Sequence, residues 1–544
     1  MATWNLLNAD DPLLARTAIS AANKNISFNV TDHGAVGDGV TDDTAAVQSA
    51  ITAADAAGGG IVFLPRGTYL VSSSLVMTND NTTLQGAGRS ATVIKTVSDA
   101  PIIKWQTASN LCVRDLQLLG DGDSGKTNQR GIEVTTADGG LIHNVHAKNL
   151  GYDGILLLNG SVRNTVSNCI VEGSQDDGIN IGGGSLAPQY DNVIIGNTVF
   201  GSANVGIHIS NYSSFTTVTG NTVYDCGEDG INTFQTGAQV GLGNHTIIGN
   251  TIRDCTQFGI LIRDSDYNTV MGNNVSGGLR SLRAENTSYT QFVANNCSGA
   301  SIGGFLDDVD CSDLTVSGNS FSGTFSHIFL VGPRAVVQGN SVRGATGANF
   351  ASIYTATTVT GSVFSSNILS SGYMGVHVIG PDCVVSGNSI TDMSNHGIRV
   401  DSTATDCVVS ANSLKTITSN GVYLNSATRA QVVGNKINAA NKGITITAGV
   451  DCHVADNYTV ASVADSISEN GASSATTVVH NRFDSTTVVN GTGSVLIKAT
   501  ESSAYTPTNV STDRAYDANS TTTDELADVL GTLIADLQAN GIIG

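Results

Sequence analysis

Five carboxylates gather around one recurring position of this 544-residue chain. A phrase of the type D-G-I-x-I returns as Asp153-Gly154-Ile155, Asp177-Gly178-Ile179, Val205-Gly206-Ile207, Asp229-Gly230-Ile231, Phe258-Gly259-Ile260, His396-Gly397-Ile398 and Lys442-Gly443-Ile444. In the early phrases the residue before the glycine reads Arg130, Asp153, Asp177, Val205, Asp229, Phe258. The one before that reads Gln129, Tyr152, Asp176, Asn204, Glu228, Gln257. If the phrases stack as strands, Asp153, Asp176, Asp177, Glu228 and Asp229 share one edge with Tyr152 and His208. At roughly 4.8 Å per stacked strand, Asp153 lies about 5 Å from Asp177, and Asp177 about 10 Å from Asp229. Those spacings bracket the roughly 5 Å of retaining and about 6.5–9.5 Å of inverting glycoside hydrolysis. Like charges at such range raise one another's pKa, which keeps one carboxyl protonated as a general acid. Asp177 and Asp229 are the first candidates for acid and base, with Asp153, Glu228 and Asp176 as alternates. Strand alternation turns Glu133, Asn180, His208 and Asn232 outward and Ile132, Ile179, Ile181, Ile207 and Ile231 inward. Tyr152, His208, Asn180 and Asn232 are therefore the candidate substrate contacts. The competing reading makes each Asp-Gly a structural turn.

Further along lies a second polar set: Arg263, Asp264, Asp266, Arg280, Arg283, Glu285, Asp307, Asp308 and Asp310. Arg263 and Arg283 suit forked contacts to uronate or sulfate groups, and a solvated salt-bridged face explains them equally. A later outward column, Phe329, Tyr354, His377, Arg399 and Tyr423, offers rings on which sugars stack or across which subunits meet.

The element that positions these residues is a repeat. A second phrase, V-x-G-N-x-I, places asparagines at Asn144, Asn168, Asn197, Asn221, Asn250, Asn273, Asn295, Asn319, Asn340, Asn367, Asn388, Asn412, Asn435, Asn457 and Asn481, in steps of 21 to 29 residues. So narrow a period means one supersecondary unit stacked many times. Each phrase alternates apolar and polar residues over four to six positions, with Val and Ile preferred, and no helical period of ten residues interrupts them. The expected fold is all-β: a parallel β-helix with two or three short strands per turn. The asparagines are expected in tight turns, bonding their own backbone or one another in a ladder. Cys226 and Cys255 fall in phase, as do Cys383 and Cys407, with Cys452 in the same place two repeats on. Nine cysteines without C-x-x-C or His/Cys spacing read as stacked free thiols; no metal and no cofactor is expected.

A formal net charge of −21 argues against nucleic acid and anionic membrane surfaces as partners. No apolar run reaches 18 residues, so membrane insertion is not expected, and no basic-then-apolar leader opens the chain. The sequence therefore reads as a protein without a signal peptide, acting on a virion or outside the cell after release from a cytoplasm.

Residues 1–24 form a short attachment segment with Leu13, Leu14, Ala18, Ile19 and Ala22 at helical spacing. Residues 25–95 form a cap and first coils, in which Asp42 or Asp43 caps a helix bearing Ala46, Val47, Ala50 and Ile51 on one face. Residues 96–500 form the β-helix, interrupted at 121–130 by a polar loop of the kind that walls a groove. Residues 501–544 are a connector and a helix opened by the capping box Thr522-x-x-Glu525. Its seam of Leu526, Leu530, Leu533 and Leu537 needs several copies to be stable.

The run Phe28-Asn29-Val30-Thr31-Asp32-His33-Gly34-Ala35-Val36-Gly37-Asp38-Gly39-Val40-Thr41-Asp42-Asp43, continued by Gly58-Gly59-Gly60-Ile61-Val62-Phe63-Leu64-Pro65-Arg66-Gly67-Thr68-Tyr69, resembles the opening segment of the pectate-lyase-like superfamily of right-handed β-helices. The resemblance is specific for residues 28 to about 95 and architectural beyond. With the leucine seam, the chain looks most like a phage tailspike. That likeness implies a homotrimer, attachment to a larger particle through the N-terminus, and a bacterial surface polysaccharide as ligand and substrate of hydrolysis. Lyases and uronate epimerases of the same build, and non-catalytic adhesins, are the alternatives. Mannuronate epimerases carry Tyr-Gly-Phe-Asp-Pro-His near this point; here Gly151-Tyr152-Asp153-Gly154-Ile155 keeps the Tyr and Asp without the Pro-His.

Overall fold

A computed structural model of the chain describes residues 27–483 except 183–186, 235–242, 326, 348–350, 440, 461–464 and 472, together with 488–489 and 495–496. The 1–24 segment and the leucine seam of Leu526–Leu537 lie outside the described residues. Within them the chain is a parallel β-solenoid of about 17 turns, with one α-helix near its N-terminus. No helix among the described residues is long and apolar enough to cross a membrane.

Most coils contribute three short strands, and like strands pair in parallel from coil to coil. In the first stack Thr217, Val218 and Thr219 pair with Thr246, Ile247 and Ile248, and these with Thr269, Val270 and Met271. The second stack follows after two residues, as in Thr222–Tyr224 on Thr251–Arg253. The third carries the D-G-I phrase: Ile155–Leu158, Ile179–Ile181, Ile207–Ile209 and Ile231–Thr233 stack residue on residue. Alternation is strict, so Val218, Ile247, Val270, Ile179, Ile207 and Ile231 are all fully buried in the lumen. Among the described residues the strand pairings are parallel and none is a hairpin, so register rests on these columns.

Between the first and second stacks a glycine takes the left-handed conformation, φ 66° at Gly196, 64° at Gly220 and 64° at Gly249. The asparagine after it turns inward. From Asn197 to Asn457 each buried amide donates both to the next Oδ1 and to a backbone carbonyl, the last rung ending on Asn481; Asn295 Nδ2, for instance, reaches Asn319 Oδ1 and Val270 O, both at 2.9 Å. Each backbone N–H at the position also reaches the next Oδ1. Asn144 and Asn168 do not belong to this ladder. They occupy the left-handed site, with φ 52° each, one residue ahead of it. Cys169 fills the ladder position instead, its N–H reaching Asn197 Oδ1 at 2.8 Å. Asparagine tolerates both sites, which is why the sequence alone misphases the first two.

Helix α1 (Thr44–Ala56) packs against the first coils and buries Val47, Ala50, Ile51 and Ala54. Asp42 caps it, its Oδ1 accepting from Thr44 N at 3.0 Å. Asp43 turns away and accepts from Val36 and Gly37 N–H. All nine cysteines are free, and eight of them are buried.

Candidate functional site

The D-G-I glycines set how the third stack enters the site. They are not turn glycines: a Cβ on Gly178 would stand 2.3 Å from Val199 Cγ1 and 2.5 Å from Gly206 O. The strand must therefore pass close over the second stack, and the aspartate before it is drawn down into the wall. Asp153, Asp177 and Asp229 are only 1%, 5% and 3% exposed. The column Arg130, Asp153, Asp177, Val205, Asp229, Phe258 is confirmed by backbone bonds, Gly154 N to Asp177 O, Gly178 N to Val205 O and Gly206 N to Asp229 O.

Asp177 and Asp229 make the same local ties. Asp177 accepts from Asn180 Nδ2 at 2.9 Å and Val205 N at 3.1 Å; Asp229 accepts from Asn232 Nδ2 at 2.7 Å and Phe258 N at 3.0 Å. Each carboxylate thereby bridges its own coil to the next. Val205 separates the two in the column, so they stand two coils apart, as the sequence spacing predicts.

What Asp177 has in addition is His208, whose Nδ1 lies 2.8 Å from Asp177 Oδ2. His208 Nε2 has no partner, and its ring stacks 6.5 Å from Phe234. Burial alone would lower the imidazole pKa, but the Asp177 bond and the charges of Asp177, Asp153 and Asp176 outweigh it and raise it. On the other side, Arg130 Nε donates to Asp153 Oδ2 at 3.1 Å and Nη1 to Glu133 Oε2 at 3.2 Å, with its guanidinium 4.6 Å over the Tyr152 ring. Burial, then the Asp177 and Asp176 charges, push Asp153 up to about 7 against Arg130. Asp153 Oδ1 is buried without a partner. Half-buried Asp176 is raised too, first by burial and then by Asp177, and accepts from Tyr152 and Asn204. Burial and the Asp176 bond push Tyr152 up to about 12.

The molecule therefore brings Tyr152, Asp153, Asp176, Asp177, Asn180 and His208 into one cluster, with Asn232 next in register to His208 on the following coil, and leaves Glu228, Asp229, Arg263 and Arg283 outside its hydrogen bonds. Asp229, buried and pushed up to about 6 by burial, holds its turn with Asn232. Glu228 is exposed. Arg263 and Arg283 both pair with Glu285, Arg263 also lying 5.0 Å over Phe234. Arg130, absent from the sequence-based candidates, is the member they missed. It heads the very column in which the aspartates were read, and the 121–130 loop delivers it: Gln129 O accepts from Tyr152 N at 3.0 Å, and buried Gln129 Oε1 from Gly151 N at 3.0 Å. Oxygens of Asp153, Asp176 and Asp177 come within 4.8 Å of one another, close enough for a divalent cation. Arg130 and His208 already sit on two of those carboxylates, so the trio fits a proton-handling site better than a metal.

Residues 27–232 match the family described as Rhamnogalacturonase A/epimerase, pectate lyase-like; residues 191–342 match Right handed beta helix region; residues 328–512 match Periplasmic copper-binding protein (NosD). Two curated relatives from Azotobacter vinelandii are mannuronan C5-epimerase AlgE4, 44% identical over 119 residues, and alginate lyase 7, 39% identical over 120. These matches cover 19% and 21% of this chain, and the chain spans only 22% and 13% of those proteins' length. Among solved structures, the A-module of mannuronan C-5 epimerase AlgE6 from the same organism aligns with a TM-score of 0.53 at 23% identity, over 66% of this chain and 98% of that one. In fold the chain is a right-handed parallel β-helix of the pectate-lyase-like kind.

Proposed function

We propose that this chain is a polysaccharide-active enzyme that abstracts the proton at C5 of a uronic acid residue, leading to elimination or epimerisation. The observation that carries the reading is the Asp177–His208 pair, to which Tyr152 is linked through Asp176. Asp177 fixes the imidazole through Nδ1 and leaves the buried Nε2 without a partner, the arrangement of an oriented general base once a bound chain opens the way to it. His208 takes the C5 proton, and the pair of electrons forms the C4–C5 double bond as the glycosidic oxygen on C4 leaves. Tyr152, its proton retained by burial, donates to that oxygen. Where the leaving group stays, return of a proton to the opposite face inverts C5. Asp153, about half protonated at pH 7, only partly balances the Arg130 charge, which Glu133 and an incoming uronate carboxylate complete. Mannuronan and alginate, named in the relatives, are polymers of such residues.

The test is incubation with mannuronan and a panel of acidic bacterial polysaccharides, following near-ultraviolet absorbance of the unsaturated product and C5 inversion by NMR. Loss of both signals in His208→Gln supports the assignment; their persistence refutes it.

Hydrolysis is the second reading. Asp153, protonated near neutrality and within 4.8 Å of Asp177 oxygen to oxygen, meets the acid and carboxylate spacing of a retaining mechanism. It predicts reducing ends without absorbance. Carriage on a virion as a homotrimer is a further proposal resting on the seam of Leu526–Leu537; sedimentation showing a monomer would remove it.

A further inference from the structure

Eight coils beyond Asp229 the outward column of the third stack changes character. Phe329, Tyr354, His377, Arg399 and Tyr423 stack in register, and the next members are the small Thr445 and Ser468. The step leaves a cavity of about 380 Å³, lined among others by His396, Asn420, Tyr423, Lys442, Thr445 and Asn470. That size falls in the range of roughly 300–1,000 Å³ typical of small-molecule sites.

Two of its lining residues carry a buried polar atom without a partner. His396 is nine-tenths buried with Nδ1 unbonded, and Thr445 is 4% exposed with Oγ1 unbonded. Leaving a buried polar group unmet costs about 1–3 kcal/mol, a demand that a ligand rich in hydroxyls satisfies. Tyr423 supplies a ring, 5.0 Å from that of His396. The positive charges nearby are already balanced: Lys442 Nζ lies 3.3 Å from Asp465 and 3.0 Å from Ser468 Oγ, and Arg399 Nε lies 2.8 Å from Asp401. Burial, then Arg399 and His377, lower the His396 pKa to about 4, so its ring is neutral. Amides, hydroxyls, a neutral imidazole and an aromatic face without a spare cation are the recognition chemistry of an uncharged sugar.

We propose that this cavity is a second glycan-binding site, taking a neutral sugar unit against Tyr423 with His396 and Thr445 bonding its hydroxyls. At roughly 4.8 Å per coil it lies about 50 Å along the axis from the acidic cluster. It anchors glycan independently of the chemistry there.

The test is calorimetric titration of the full chain with maltohexaose, cellohexaose and mannohexaose, with hexamannuronate as charged comparison. At least one neutral probe is expected to bind. Tyr423→Ala should weaken it about tenfold or more, Tyr423→Phe should keep it, and Asp177→Asn should not alter it. Failure of all three neutral probes, binding of hexamannuronate alone, or unchanged binding in Tyr423→Ala overturns the proposal. Product assays at His208 report separately on the catalytic reading, so either can fail alone.

Discussion

Asp177 and Asp229 carry the same ties to their own Asn and to the next coil's N–H, yet only Asp177 faces an imidazole. On the proposed function, that difference gives the chemistry to His208 and leaves Asp229 a structural tie. His208→Gln should lower turnover by about 100-fold or more while leaving the melting temperature near that of the parent. A base must be neutral to accept a proton, and the His208 pKa is raised, so kcat/KM should fall as pH drops through a value above the ordinary 6.5. The substitution should flatten that limb; an unchanged profile would show another base at work. Asp153 supplies a stability test. Its folded-state pKa is raised from 3.8 to about 7, so the folded chain holds a proton the unfolded chain releases. The associated stability is fully present below about pH 4 and lost as pH rises through about 7. Asp153→Asn should therefore gain melting temperature relative to the parent on going from about pH 5 to about pH 8. A constant difference would mean that Asp153 is ionised throughout.

Among elements, the asparagine ladder is the most exacting. Asn319 accepts from the N–H and amide of Asn295 and donates to Phe292 O and Asn340 Oδ1. Asn319→Ala orphans several of these at about 1–3 kcal/mol each, and should speed hydrogen exchange in its own and adjoining coils before distant ones. Uniform exchange would argue against a nearest-neighbour solenoid. Gly178→Ala should be more damaging still, since its Cβ meets Val199 and a backbone carbonyl. The period, the inward isoleucines and a coil of two or three short strands were legible because alternation and repetition are local properties of sequence. The phase of Asn144 and Asn168 was not, because asparagine suits both the left-handed turn and the ladder beside it. The carboxylate edge was legible as a column. The burial of its aspartates was not, since it depends on how closely the glycine lets the third stack approach the second. Arg130 went unassigned because the loop carrying it is irregular.

The described residues form a stack whose free thiols lie within its walls. Thiol titration of the native protein should find at most the partly buried Cys112 reactive and all nine after denaturation. Several fast-reacting native thiols would mean that the coils open. Along this stack the acidic cluster and the Tyr423 cavity occupy the same face, so one long glycan has room to engage both.

The central claim is abstraction of a C5 proton at His208, and the most direct measurement is incubation with mannuronan while absorbance, C5 inversion and reducing ends are read together. The account predicts unsaturated or inverted product from the parent chain and neither from His208→Gln. Reducing ends rising alone, or equal product from the variant, would contradict it.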